Sequence, residues 1–445
     1  MDENVLSKLG LEPAPIGSLR SNIGRQLYKY AESIFLWNRS ITGQGVDQTH
    51  DWISSKVKDF KSHKFRSGET ILDWVVPNEW NVREAWIKDI EGNVIVDFDD
   101  NNLHLVNYSE PVDKTLSREE IEDHLYSLPE MPDAIPYVTS YYKKRWGFCL
   151  SHNQRLSLKE GYYHAYINSC LRPGTLNLGE ITVPGQSKEE ILISTYTCHP
   201  SMANNEVSGI VVATMIAKWL QSQENLHYSY RIVFCPETIG SIAFLSRNYE
   251  TLKKNLVAGF VVTMVGDDRG YTFTQTPDAN SITDRVAEHV INFLTSNPNI
   301  VPHTGRVSDE RQYCSPGINL PVVSIMRCGT YPEYHTSEDN LNLISPVGLY
   351  GGFEFARLCL SALELNVTPH WLIKGEPHLT KYDLRNSIGG PRKLSSFEAT
   401  VSQVLAFSNG SRDLLEIANL IGEPIWEVFK IASILNEKKL IAFSK

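Results

Sequence analysis

Two histidines and a glutamate stand at the ends of apolar runs in this chain, and together those side chains could hold a metal ion and move a proton. His199 follows the β-forming run 189–198 and is followed at once by Pro200. Next comes Ser201-Met202-Ala203-Asn204-Asn205-Glu206-Val207-Ser208-Gly209, then a small-residue helical stretch. Glu237 lies in Pro236-Glu237-Thr238-Ile239-Gly240, directly after the apolar run 231–235. A carboxylate at the end of a buried strand loses hydration, so its pKa rises toward the range where a general base works. Ser308-Asp309-Glu310-Arg311 could orient a histidine or bind a charged substrate end, and His335 sits in the acid- and aromatic-rich loop 331–339.

Taken singly, each of these has a plain structural reading. His199 could be a bonded interior histidine, Glu237 a carboxylate bonded to helix amides, segment 308–311 a solvated loop, and His335 a surface residue. Taken together they converge on a metal site, because neutral imidazole and carboxylate are ordinary zinc ligands. A serine or cysteine nucleophile lacks support. No GxSxG elbow is present, and none of the seven cysteines sits in a catalytic signature.

Alternating elements must position these groups. Strands over 191–198, 230–235, 257–265 and 320–325 interleave with helices over 207–221, 241–249, 282–295 and 347–363. That alternation predicts an α/β fold with a doubly wound, mainly parallel sheet, which gathers strand ends and helix starts along one crevice. The 19–60 stretch has helical spacing. Short β-type runs between 67 and 111 predict a small inserted β-rich domain, and Ser117-Arg118-Glu119-Glu120 carries a capping-box pattern. Runs 161–170 and 174–183 look like a hairpin. Three short helices and a terminal strand after about 395 fit a winged helix. The expected domains are therefore 1–66 with 112–380, the insertion 67–111, and the winged helix 381–445.

Composition narrows the rest. A chain of 445 residues exceeds one simple core, and a net charge of −10 argues against a general polyanion binder. Between 395 and 445 five basic residues face six acidic ones, the wrong sign for a strong DNA binder. The terminal module is expected to contact protein or to form a homo-oligomer instead. Scattered cysteines suggest free thiols in a reducing compartment. With no export signal and no long apolar run, a cytoplasmic protein is expected, with no membrane span.

At these residues the chain resembles the zinc aminopeptidase family of the bacterial leucyl aminopeptidase and glutaminyl cyclase type. The family's order is a histidine, an Asp-Asn-x-Ser-Gly motif, a Glu-Glu-x-Gly motif, a strand-end aspartate, a Ser-Asp-His motif and a final histidine. Here those positions read His199, Asn205-Glu206-Val207-Ser208-Gly209, Glu237-Thr238-Ile239-Gly240, Thr263, Ser308-Asp309-Glu310 and Tyr334-His335-Thr336. A subfamily with an inserted β-domain and a C-terminal winged helix is more similar still, on Trp80-Asn81-Val82-Arg83-Glu84-Ala85, Cys198-His199-Pro200-Ser201 and 331–336. Its members often lie among genes for surface-polysaccharide synthesis, which hints at a biosynthetic role.

The resemblance implies a zinc hydrolase in which Glu237 is the general base. It also marks departures. Asn205 replaces a bridging aspartate, Thr238 a ligand glutamate and Thr263 an aspartate, so three anionic positions are neutral. Two adjacent dications would lack the charge that offsets their repulsion. The expectation is one zinc per chain, held by His199, His335 and Glu206, since a carboxylate binds zinc better than an amide, with the carbonyl oxygen of Asn205 as the lesser alternative. Manganese, iron or cobalt would also suit such donors. Asp309, Glu310, Arg311 and Tyr334 are the expected substrate contacts, with Glu310 for an ammonium and Arg311 for a carboxylate or sugar-linked acid. The expected activity is removal of an N-terminal residue from a small peptide, or cleavage of a related N-acyl amide. A catalytically silent protein acting through its winged helix is the alternative.

Overall fold

A computed structural model describes residues 18–305, 308–385 and 395–444, with side chains from 22 onward. Residues 1–17 of the expected first domain, 386–394 of the third and Lys445 lie outside the described residues. Eight strands form the main sheet: β1 (Lys61–Arg66), β2 (Thr175–Val183), β3 (Glu190–Tyr196), β4 (Ser229–Cys235), β5 (Leu256–Val262), β6 (Thr272–Thr274), β7 (Asn299–Val301) and β8 (Val322–Met326). Their order is β1-β2-β4-β3-β5-β8-β6-β7. The centre, β4-β3-β5-β8, is parallel, while β1–β2, β2–β4 and β6–β8 are antiparallel. The sheet is thus mixed, with the parallel core that the alternating pattern predicts. Ile191, Leu192 and Ile193 are all buried because both faces of β3 are covered.

Helices α1 (Ser18–Ile34), α2 (Ser208–Gln221), α3 (Ile239–Asn255), α4 (Ile282–Leu294) and α5 (Pro346–Leu365) surround that sheet. One apolar cluster joins α1, α2, α4 and α5 to the first sheet face and runs on into the C-terminal helices. A second packs α3 and the smaller sheet against the other face. Among the described residues no helix is long and apolar enough to cross a membrane.

The 19–60 stretch is two helices, α1 and Gln44–Ser54, and the irregular turn between them carries Arg39 inward. The expected hairpin does not form. Tyr162–Arg172 joins a four-stranded sheet with Glu79–Asp89, Val94–Asp97 and Val112–Ser117, whereas β2 pairs with β1 and β4. Burial explains the separation: β2 is nearly all interior, while Tyr162–Arg172 alternates buried and wet positions. The small sheet therefore draws strands from beyond 67–111. Ser117 and Glu120 do form the capping box. All seven cysteines are free, six of them buried.

At the C-terminus α6 (Ser396–Phe407), α7 (Leu414–Ile421) and α8 (Ile425–Glu437) form a winged helix completed by the pair Thr368–Trp371 and Ile441–Ser444. The first of those strands precedes position 381. Arg285 of α4 holds Asp413 at 2.8 Å, and the Ile425 amide donates to His289 Nε2 at 3.0 Å, so the module is docked on the sheet domain.

The Gly209 position of the motif has a packing cause. A Cβ there would lie 2.5 Å from Thr195 Oγ1 and 2.7 Å from the Val262 carbonyl, because α2 starts against the ends of β3 and β5. Gly209→Ala is expected to destabilise the protein by about 1–3 kcal/mol, read from the urea midpoint. An unchanged midpoint would show that this junction is not tight.

Candidate metal and proton-transfer site

The site lies past the carboxyl ends of β3 and β4. After β3 the chain passes Ser201 at φ 42° into a π-type turn, Ala203–Val207, closed by the Val207 amide donating to the Met202 carbonyl at 3.0 Å. Such a turn widens one helical turn and is common at functional sites. Here it buries Asn204, Asn205 and Glu206 together. Asp339 anchors the turn, its two carboxylate oxygens accepting from the Asn204 amide at 2.6 Å and the Asn205 amide at 2.9 Å. Tyr331 donates to the same carboxylate at 2.6 Å, which ties the His335 loop to the turn. His335 itself has φ 57°. After β4, Thr238 has φ 64° and ψ −71°, and the Ile239 amide donates to the Glu237 carbonyl at 2.8 Å. This is a γ-turn, a strained conformation for a β-branched residue, and it sets Glu237 at the cavity.

The two imidazoles lie with ring centroids 5.1 Å apart, and the Tyr334 ring stacks on His335 at 3.8 Å. His199 Nδ1 is 3.1 Å from Glu206 Oε2, and its Nε2 is 3.9 Å from Glu237 Oε2. Cys198 Sγ is 3.3 Å from the same Nδ1. Cys198, His199 and Glu206 thus form a tight buried cluster on the Nδ1 side, while Nε2 faces Glu237. Behind it, Arg39 donates to the His199 carbonyl at 3.0 Å and lies 3.8 Å from Glu206 Oε1. Arg39 and Glu206 are both fully enclosed.

Burial governs the electrostatics. Loss of hydration holds both histidines neutral, with pKa values lowered to about 3, helped by Arg39 at His199 and by His199 at His335. It also pushes Glu206 up to about 8, against the pull of Arg39. Glu237 and Asp309 are both raised, by desolvation first, and at Glu237 the nearby Asp309 charge adds to the rise. Among the buried side-chain atoms here without a hydrogen-bond partner are His335 Nε2 and Asn205 Oδ1, together with Arg39 Nη2, Asn204 Nδ2, Glu206 Oε1, Asp309 Oδ2 and Arg311 Nε. A neutral imidazole with an unused nitrogen and an amide oxygen with unused lone pairs are chemically suited to a cation. These donors are of types that a divalent ion takes, while among the described residues the three side chains whose ligand atoms lie within 4.8 Å of one another are Cys198, His199 and Glu206. Around it, Asn205, Thr238 and Thr263 are neutral, and Thr263 is already bonded to the Tyr196 hydroxyl.

The remaining expected site residues separate. Asp309 Oδ1 accepts from the Thr238 amide at 2.7 Å and from Ser241 Oγ at 2.9 Å, so it supports the γ-turn. Glu310 is fully buried, accepting from the Ser308 amide at 2.9 Å and from Ser324, away from the cavity. Arg311 lines the cavity and donates to Thr238 Oγ1 at 2.7 Å. Tyr334 is partly exposed beside His335. Glu206 bonds His199 from behind. Sequence reasoning missed Arg39 and Asp339, and also Ser308 as the donor to Glu237 Oε1 at 3.2 Å. Arg39 had no local signal, for it arrives 160 positions away from His199. A cavity of about 420 Å³ opens over these groups, walled by Trp74, Tyr137, Tyr141 and Tyr142.

Comparison with known proteins places this geometry. Residues 28–366 match the family described as a domain of unknown function, DUF4910, and residues 367–443 match a winged helix-turn-helix family. A Clostridium acetobutylicum protein, provisionally named a polysaccharide biosynthesis protein with an aminopeptidase-like domain, is 41% identical over 404 residues, covering 89% of this chain and 92% of that one. The chain belongs to the DUF4910 family. A crystal structure of a provisionally assigned peptidase from the same organism superposes with TM-score 0.90 at 37% identity, covering 99% and 100% of the two chains. A zinc aminopeptidase from Bacillus subtilis shares the fold at TM-score 0.56 and 12% identity, over 76% of this chain and 94% of its own. This DUF4910 chain thus carries an aminopeptidase-like fold with a C-terminal winged helix.

Breaking the buried pair tests the geometry behind His199. Arg39→Met is expected to cost about 1–3 kcal/mol, because the His199 and Ile34 carbonyls lose their buried donor and Glu206, its pKa already raised to about 8 by burial, loses the cation that favours its charged form. Adding Glu206→Leu to that variant is expected to restore part of the loss in urea unfolding. If the single variant unfolds like the wild type, the pair does not support the site.

Proposed function

We propose that this chain is a one-metal amide hydrolase of the aminopeptidase type, acting on a small peptide or N-acyl substrate. His199 and His335 would hold one divalent cation, zinc by donor type, with the Asn205 side-chain oxygen as the third donor. The unbonded, buried His335 Nε2, on a loop tied to the turn that bears Asn205, carries this reading. When bound, the ion supplies Lewis-acid polarisation of the scissile carbonyl and lowers the pKa of water.

The chain's own groups do the rest. Glu206 bonds His199 Nδ1, which leaves Nε2 free toward the cavity and fixes the ring plane. Ser308 occupies one oxygen of Glu237, and the other faces His199. Glu237 there takes a proton from the attacking water and returns it to the leaving nitrogen; its raised pKa suits both transfers near neutral pH. Aromatic side chains wall one side of the open cavity and lower the polarity around these groups.

A second reading is binding without turnover, with the winged helix as the output. It is favoured by neutral Asn205, Thr238 and Thr263 where the fold's zinc enzymes are expected to place anions. Protein contact suits that module better than nucleic acid, since five basic residues face six acidic ones between 395 and 445.

A panel of dipeptides, aminoacyl amides and N-acyl amides separates the two. Wild-type protein supplied with zinc is expected to cleave at least one class, and Glu237→Gln to lose roughly 10²–10⁴-fold in kcat with metal content unchanged. Equal rates in both proteins would remove Glu237 as the base, and no turnover by the wild type would favour the silent reading.

A further inference from the structure

The charge of the cavity wall identifies a substrate feature, and this rests on the site proposed above. Among the described residues two side chains of the charged types Asp, Glu, Lys and Arg line the cavity, Glu237 and Arg311. Arg311 makes one bond there, to the neutral Thr238 hydroxyl, and its buried Nε has no hydrogen-bond partner. Among the described residues its guanidinium forms no salt bridge within 4.0 Å, although its charge acts on the carboxyls of Glu237 and Asp309. A planar cation with unused donors, beside a pocket open to ligand, is the standard means of holding carboxylate or phosphate.

An ammonium has no equivalent place. The other acids nearby do not line the cavity: Asp309 bonds Thr238 and Ser241 through Oδ1 and keeps Oδ2 buried and unpartnered, Glu310 bonds Ser308 and Ser324, and Asp339 holds the turn and Tyr331. Among the described residues Glu237 is the one carboxylate on the wall. We propose that Arg311 is the specificity-determining residue of this cavity, and that the substrate carries an anionic group and no ammonium beside the scissile amide. That makes an acylated, acidic compound a better fit than a free peptide N-terminus. The aromatic walls, Trp74 and Tyr142 among them, leave room for a flat or ring-shaped body between the anion and the histidines.

Calorimetric titration of chelator-treated full-length protein tests this, because neither turnover nor direct metal ligation can then contribute. The probes are hippurate, its neutral amide hippuramide, phenyl phosphate, and glycine benzylamide as the ammonium. Hippurate or phenyl phosphate is expected to bind about tenfold or more tightly than hippuramide, and the tighter of the two names the anion. Arg311→Gln is expected to bring that ratio near one, and Arg311→Lys to retain part of it. Equal binding of anion and amide, a preference that survives Arg311→Gln, or tighter binding of glycine benzylamide would overturn the proposal. Anion selectivity without any hydrolysis would leave the Arg311 assignment standing and defeat the hydrolase reading.

Discussion

The site depends on one buried contact, that between Glu206 and Nδ1 of His199. An imidazole has two nitrogens, and which one faces a ligand is decided by what the other one bonds. Glu206 can serve only because a π-type turn carries it into the interior, and only because Arg39 offsets part of its charge there. Its position turns Nε2 toward Glu237 and toward the cavity. Remove the turn, and the same residues would present a different nitrogen. The enclosure of Arg39, the anchoring of the turn by Asp339 and the close seating of Gly209 are conditions for that one orientation.

Charge around the histidines sets the second constraint. Both rings are neutral through burial, and Asn205, Thr238 and Thr263 contribute no charge. Such an environment accommodates one dication more readily than two, because each added positive charge must be met by a nearby anion or by solvent. Glu237 is the anion facing His199 Nε2, so charge balance and proton transfer fall on the same residue. Among the described residues Arg311 is the one Lys or Arg on the cavity wall, and Asp309 and Asp339 hold turns behind it.

Much of this arrangement was legible in the amino-acid order. The apolar runs before His199 and Glu237 marked strand ends, and strand ends in a parallel sheet meet along one crevice. His335 was legible through its place in that order. Glu206 reads in sequence as the third metal ligand, whereas in the structure it bonds Nδ1 of His199 from behind. The π-type turn that rotates it has no period to detect. Glu310 looked like a substrate contact by side-chain type, yet two serine donors hold it in the interior. Arg39 was invisible, since its contact with His199 depends on the tertiary fold alone. The strand Thr368–Trp371 was missed for a similar reason: its partner lies at the far end of the chain.

Metal stoichiometry tests the central claim most directly. Calorimetric titration of zinc into chelator-stripped protein, checked by elemental analysis after dialysis, should give one tightly held ion per chain. His335→Ala should abolish that binding, while the chain keeps its wild-type fold by circular dichroism. Two tightly held ions per chain, or one ion that survives loss of His335, would contradict the account.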